Sequence, residues 1–102
     1  MIARIWHGRT SAKDYEPYTG FMKERAIPDY QHTDGFVKLS FLRRLEQEVA
    51  HFTLITYWEN LEVIRNFAGH DYEKAKYYPE DEHYLLEFEE KVIHHEVFAE
   101  GD

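Results

Sequence analysis

The sequence predicts an α+β domain: one four-stranded antiparallel sheet with two helices on one side of it. Three observations carry this. Phe52 to Trp58 is an aromatic and β-branched run that suits a pleated, buried surface. Immediately after it, Asn60 can cap a helix in which Leu61, Ile64, Phe67 and Ala68 recur at helical spacing. Along the whole chain, the segments read strand, helix, strand, strand, helix, strand.

Each element follows from local chemistry. Ile2 to His7 reads as the first strand, ended by Gly8. Ser11 to Asp14 reads as a turn, with Asp14 capping a helix from Tyr15 onward. Pro17 then lies in the first turn, where its missing N–H costs little. Tyr18, Phe21, Met22 and Arg25 continue that helix, and Gly20 weakens it by about 1 kcal/mol relative to alanine. Pro28 ends it by restricting Ile27. Asp29 to Gly35 is a polar loop. Phe36 to Leu45 and Val49 to Trp58 read as strands joined by a hairpin through Glu46-Gln47-Glu48. Gly69 stops the second helix, Asp71 caps a further helical piece from Tyr72 to Tyr77, and Pro79 closes it. Glu80 to Leu86 allows one more helical turn, and Glu90 to Phe98 is the last strand. Two strand–helix–strand units with right-handed crossovers give the ferredoxin-like βαββαβ arrangement.

Composition narrows the function classes. A chain of 102 residues supports one domain, 1–102. Its formal net charge of -8 argues against nucleic acid as a partner, because phosphate contacts need clustered Lys and Arg. With no cysteine there is no disulfide framework, thiolate metal site or cysteine nucleophile. No apolar run approaches membrane-spanning length, and Met1 to Ile5 is too short and interrupted for a signal peptide. A cytoplasmic protein is expected. Eight tyrosines supply large contact area with a polar tip, suited to a wet pocket or an interface.

Two helices cover only one face of the sheet, yet the strands are bulky on both. Phe52, Leu54 and Trp58 oppose Ile55 and Tyr57, and Ile2 and Trp6 oppose Ala3 and Ile5. A sheet with one solvated face alternates more cleanly. The second face is therefore expected to pack on another copy of the chain, as a homodimer.

With Ile2-Ala3-Arg4-Ile5-Trp6-His7-Gly8-Arg9, Phe52 to Trp58, Ile64-Arg65-Asn66-Phe67-Ala68-Gly69, Pro79-Glu80 and Val92 to Val97, the chain resembles the antibiotic biosynthesis monooxygenase superfamily. The resemblance spans nearly all of it and implies a dimeric α+β barrel with a pocket between helices and sheet. The haem-degrading branch uses an Asn on the first strand and a Trp and a His on the second helix. Those positions fall on His7, Phe67 and Tyr77, none of which matches, so haem degradation is disfavoured. The cofactor-independent branch implies a substrate that, once ionised, itself reduces oxygen. Such a site needs a base, donors for an enolate and a dry pocket. His7 is the candidate base, Tyr77 or Arg9 the polar partner, and Trp58, Phe67 and Tyr72 the aromatic platform for a small aromatic ligand. No cofactor is required.

Each candidate also has a plain structural role. His7 can be a partly exposed histidine bonded to a carbonyl. Trp58 and Phe67 follow core periodicity, and Trp6 suits core or interface. His94 and His95 are strand neighbours on opposite faces and cannot chelate one ion, although one of them should face the interior or the dimer contact. With Glu82, His83 and Glu96 they supply no convergent set, so no metal site is expected. The chain is thus a candidate monooxygenase, with a non-catalytic small-molecule binder or a structural dimer as alternatives.

Overall fold

The computed structural model describes residues Met1–Asp102. Four strands form one antiparallel sheet in the order β2-β3-β1-β4: β1 (Ile2–Ser11), β2 (Phe36–Glu46), β3 (Val49–Trp58) and β4 (Ile93–Glu96). β1 and β3 pair along their full lengths, from Ile2 opposite Trp58 to Ser11 opposite Val49. Helices α1 (Tyr15–Phe21), α2 (Ile27–Gln31) and α3 (Leu61–Ala68) lie on one face. This is the α+β ferredoxin-like topology the segment order predicts.

Strand parity decides which side chains meet the helices. In β3, Ala50, Phe52, Leu54, Thr56 and Trp58 are buried, while the residues between them are half-buried. In β1 the buried set includes Arg4, Trp6, Gly8 and Thr10. β2 carries a bulge between Phe36 and Lys38. The extra residue, Val37, shifts the alternation, so Phe36 joins Leu39 and Phe41 in packing on the core despite its different parity.

Several segments depart from the sequence expectation, each for a local reason. β1 does not end at Gly8 but runs on to Ser11. A Cβ on Gly8 would sit 2.4 Å from Cη2 of Trp6, so glycine lets that indole lie flat along its own strand. Asp14 makes no side-chain cap; it lies in a 3-10 turn, Ala12–Asp14, that precedes α1. Pro28 does not end the first helix. A π-helical turn, Met22–Ala26, separates α1 from α2, and Ile27 donates to the carbonyl of Met22 five residues back. Pro28 then occupies the first turn of α2, where its absent N–H leaves no gap.

Residues 72 to 77 form no helix, because the side chain of Arg4 takes the carbonyls of Tyr72 and Lys74. Tyr72 and Glu73 form a turn closed by Lys74 donating to Asp71, and the chain after it is irregular, with Ala75 donating to Glu90 and Val92 to Glu73. A 3-10 turn, Pro79–His83, stands where one more helical turn was expected, and the last strand is confined to Ile93–Glu96.

The expected start and stop of α3 are present. Val63 donates to Oδ1 of Asn60 at 3.0 Å, and Gly69 adopts a φ of 90° as the helix ends. Gln47, with a φ of 57°, turns the two-residue hairpin loop between β2 and β3.

Two substitutions calibrate these local effects. Nothing lies within 4 Å of a Cβ on Gly20, inside α1. Gly20→Ala is therefore expected to stabilise the fold by about 0.5–1 kcal/mol. Asn60→Ala removes the cap of α3 and should cost about 1 kcal/mol. Urea unfolding midpoints at a common slope check both.

Candidate functional site

The helix-side interior is closed by aromatic side chains. Tyr30 stacks on Phe67 with ring centroids 4.2 Å apart, and Trp58 lies 5.8 Å from Phe67. Trp58 donates from Nε1 to Oγ1 of Thr56 at 2.8 Å. Tyr18 donates to the buried carboxylate of Asp81 at 2.7 Å, and Asp81 also accepts from the N–H of Tyr78. Burial pushes the Asp81 carboxyl up, against those two hydrogen bonds. The Tyr78 hydroxyl donates to Asp29, which also accepts from Lys76 at 2.9 Å.

Arg4 is the buried cation of this interior, at 2% exposure. It donates to the carbonyls of Tyr72 at 2.5 Å and Lys74 at 2.9 Å, and to Nε2 of His94 at 3.1 Å. Because a guanidinium only donates, Nε2 of His94 must be unprotonated. Burial, then the adjacent Arg4 charge, lowers the His94 imidazole to about 4. Burial likewise lowers Arg4. His94 thus turns toward the helix side, and His95, opposite Ala3, toward the outer face.

The residues nominated from sequence fall into three places. Trp58 and Phe67 come together in the core, both buried. Tyr72 packs edge-on against His94, 5.3 Å between centroids, with Arg65 over its ring. His7 and Arg9 have the opposite parity and lie on the outer face, away from Trp58 and Phe67. His7 is held by Glu89, Nδ1 to Oε2 at 2.7 Å, and its Nε2 faces Nδ1 of His51 at 3.4 Å. Arg9 donates to Glu87. Tyr77 lies edge-on to Trp6 and donates to the Glu89 carbonyl at 2.5 Å; burial pushes its hydroxyl up to about 12. Glu89 therefore links His7 to Tyr77, but the sheet divides both His7 and Arg9 from the aromatic platform.

The sheltered opening between helix and sheet lies elsewhere. It is a groove of about 170 Å³ beneath the π turn. Met22, the first residue of that turn, and Ile27, just after it, form its roof, and Phe41, Phe52 and Leu54 form its floor. Thr19, Lys23 and Arg43 give it a polar margin. Arg43 is tied to Glu16 and Thr19 and lies 4.1 Å over the Tyr15 ring. A larger, more open depression of about 450 Å³ lies beside Tyr77, Phe88 and Glu89, with the charged side chains of Asp71, Lys74, Glu90 and Lys91 also lining it.

Of the groove residues, Phe52 and Leu54 stood out in the sequence as strand core and Met22 as part of a helix, none of them as a site. The available signal was Pro28 inside a helical pattern, which demands a local change of hydrogen bonding.

No protein-family profile and no curated protein matches this sequence. Solved structures do match in shape. The haem degrader MhuD from Mycobacterium tuberculosis, with two haems bound in its active site, superposes at a TM-score of 0.63 with 15% identity, covering 100% of both chains. A point mutant of MhuD with two manganese protoporphyrin IX molecules per active site gives 0.62 at 16% identity, over 100% of this chain and 99% of that one. A Bacillus cereus protein assigned as an antibiotic biosynthesis monooxygenase gives 0.54 at 13% identity, over 99% and 95%. The chain therefore shares the α+β fold of these structures. At these identities the likeness establishes the fold.

The residues present disfavour a haem. α3 carries no histidine, and His94, on the helix side, has its Nε2 lone pair committed to Arg4. A cavity of roughly 150 Å³ holds one benzene, so the groove suits a ring or two rather than a macrocycle.

His94 sets a pH dependence. Its folded-state value lies below the unfolded one, so between pH 6.5 and about 4 the unfolded chain holds the extra proton. Stability from this residue is complete above 6.5 and is lost as the pH falls toward 4. Asp81 slopes the other way, because its carboxyl is raised. The difference between wild type and His94→Gln isolates the histidine. Urea midpoints across roughly pH 4–7 should fall on acidification in wild type more than in the variant.

Proposed function

We propose that the chain takes up one small apolar molecule, aromatic and bearing an ionisable oxygen, in the groove beneath the π turn, and oxidises it without a cofactor. The carrying observation is a sheltered, mostly apolar 170 Å³ groove under a π turn, with Lys23 and Arg43 at its margin. π turns inside helices recur at functional sites. The superfamily fold adds a prior and no more.

In this proposal Met22, Phe41, Phe52 and Leu54 hold the ring out of water. Lys23, which makes no ion pair, favours the ionised substrate and lowers its pKa, while Arg43, already tied to Glu16, adds a hydrogen-bond donor at the margin. The resulting carbanion donates electrons to oxygen. The hydroperoxide that forms loses water, so a methylene plus O2 gives a carbonyl plus H2O. The groove lining contains no imidazole or carboxylate, so the substrate's proton leaves to water. That same absence favours a second reading, binding without turnover.

Naphthol and naphthalene separate the contributions. Lys23 is exposed and makes no ion pair. Lys23→Glu should weaken binding of ionised naphthol about 10-fold and leave naphthalene unchanged, read by fluorescence titration. Oxygen uptake with anthrone-like substrates distinguishes turnover from binding. Uptake that survives in His7→Ala supports the groove; uptake lost in that variant assigns the proton transfer to His7, with Tyr77 or Arg9 as its partner.

We also propose that two copies pair through the outer sheet face. Ile5, Ile55 and Tyr57 lie there, joined by Ile93 and Leu42 at 62% and 50% exposure. Sedimentation should find a dimer at micromolar concentration, and Ile93→Glu should weaken association at least 10-fold. A wild-type monomer at that concentration overturns the pairing.

A further inference from the structure

Two imidazoles meet on the outer face of the sheet. His7 on β1 and His51 on β3 are diagonal neighbours, since His51 is opposite Arg9 and His7 opposite Thr53. Their ring centroids are 5.6 Å apart and their planes 28° apart, so the rings meet edge to edge. The near nitrogens, Nε2 of His7 and Nδ1 of His51, are separated by 3.4 Å.

The far nitrogen of each ring faces a carboxylate. Nδ1 of His7 is 2.7 Å from Oε2 of Glu89, and Nε2 of His51 is 3.2 Å from Oε1 of Glu46. A carboxylate accepts, so each far nitrogen carries its ring's proton. A neutral imidazole has only one. When both rings are neutral, both near nitrogens present lone pairs to each other with no donor between them. Such a pair calls for a cation.

The spacing suits a metal ion. Zinc sits about 2.0–2.1 Å from an imidazole nitrogen, so two nitrogens at a tetrahedral angle lie about 3.3–3.4 Å apart. Imidazole is a good ligand for zinc and copper, with copper the tighter. A carboxylate on the far nitrogen is the usual device for fixing the tautomer and raising the basicity of a ligating histidine.

We propose that His7 and His51 form a binding site for a divalent transition ion, zinc or copper, with Glu89 and Glu46 orienting the two rings. No three metal-ligating side chains converge within the chain, so it contributes two ligands. The remaining positions are filled by water or by the same pair from a second copy. His51 is the sheltered ligand, at 14% side-chain exposure, and His7 the open one, at 36%. Arg9 beside them is neutralised by Glu87, and Arg44 by Glu46, which leaves the patch without a free cation to repel the ion.

Calorimetric titration of the full chain with copper or zinc salts tests this, with copper electron paramagnetic resonance to read the ligands. One ion per chain, or one per two chains if a second copy supplies its pair, is expected, with imidazole nitrogen coupling in the spectrum. His7→Ala and His51→Ala should each weaken binding at least 10-fold. Glu89→Gln keeps both ligands and should still weaken it about 10-fold. His95→Ala, elsewhere on the same face, should change nothing. Circular dichroism establishes that each variant is folded. Affinity unchanged in His7→Ala and His51→Ala, or a copper spectrum without imidazole nitrogen, overturns the site. A proton shared between the two rings then accounts for their approach.

Discussion

The buried guanidinium of Arg4 organises the part of this chain that its sequence pattern does not. An ion withdrawn from water costs several kcal/mol even after relaxation, so the folded chain must surround it with acceptors. No carboxylate does so. The carbonyls of Tyr72 and Lys74 and the lone pair of His94 do. Three consequences follow from that choice. Residues 72 to 77 cannot spend those carbonyls on a helix. β4 is positioned with His94 turned inward. His94 is obliged to stay neutral, which ties the packing of the sheet edge to pH.

The segment order, the hairpin, the cap at Asn60 and the stop at Gly69 were legible in the sequence because each rests on a local rule. Parity across β3 was legible too, from the bulk of Phe52, Leu54 and Trp58. What was not legible depends on long-range contacts. Arg4 and the carbonyls it captures are about 70 residues apart in sequence. The bulge at Val37 changes which β2 residues reach the core, and nothing in the apolar pattern marks it. Pro28 is the mark of the π turn in the sequence, but proline signals a helix end as readily as a register change, and the packing of Tyr30 on Phe41 and Trp58 of the sheet is a long-range contact.

Parity also explains why the nominated site does not assemble as one cluster. His7 was chosen for its chemistry and its place at a strand end. A residue on β1 that looks toward the helices has an even number, and there Trp6 and Gly8 stand instead. A single step along a strand exchanges one face for the other. His7 and Arg9 lie on one side of the sheet, and Trp58 and Phe67 on the other. Trp58 and Phe67 are consumed in closing the core, with Tyr30 of α2 stacked on Phe67 of α3.

The space this fold offers a ligand is set by side chains rather than by backbone. In this chain, Trp6, Tyr18, Tyr30, Trp58 and Phe67 fill the centre, and the room that remains lies at the margin, where the π turn widens the helix over β2 and β3. A widened turn lowers the number of backbone atoms covering the sheet, so flexible side chains such as Met22 must seal it. A seal of that kind yields to a small ring more readily than the stacked aromatics of the centre. The two faces of the sheet are consequently free to carry different chemistry. The apolar groove lies on the helix side, and paired imidazoles buttressed by glutamates lie on the other, with the shared strands β1 and β3 connecting them.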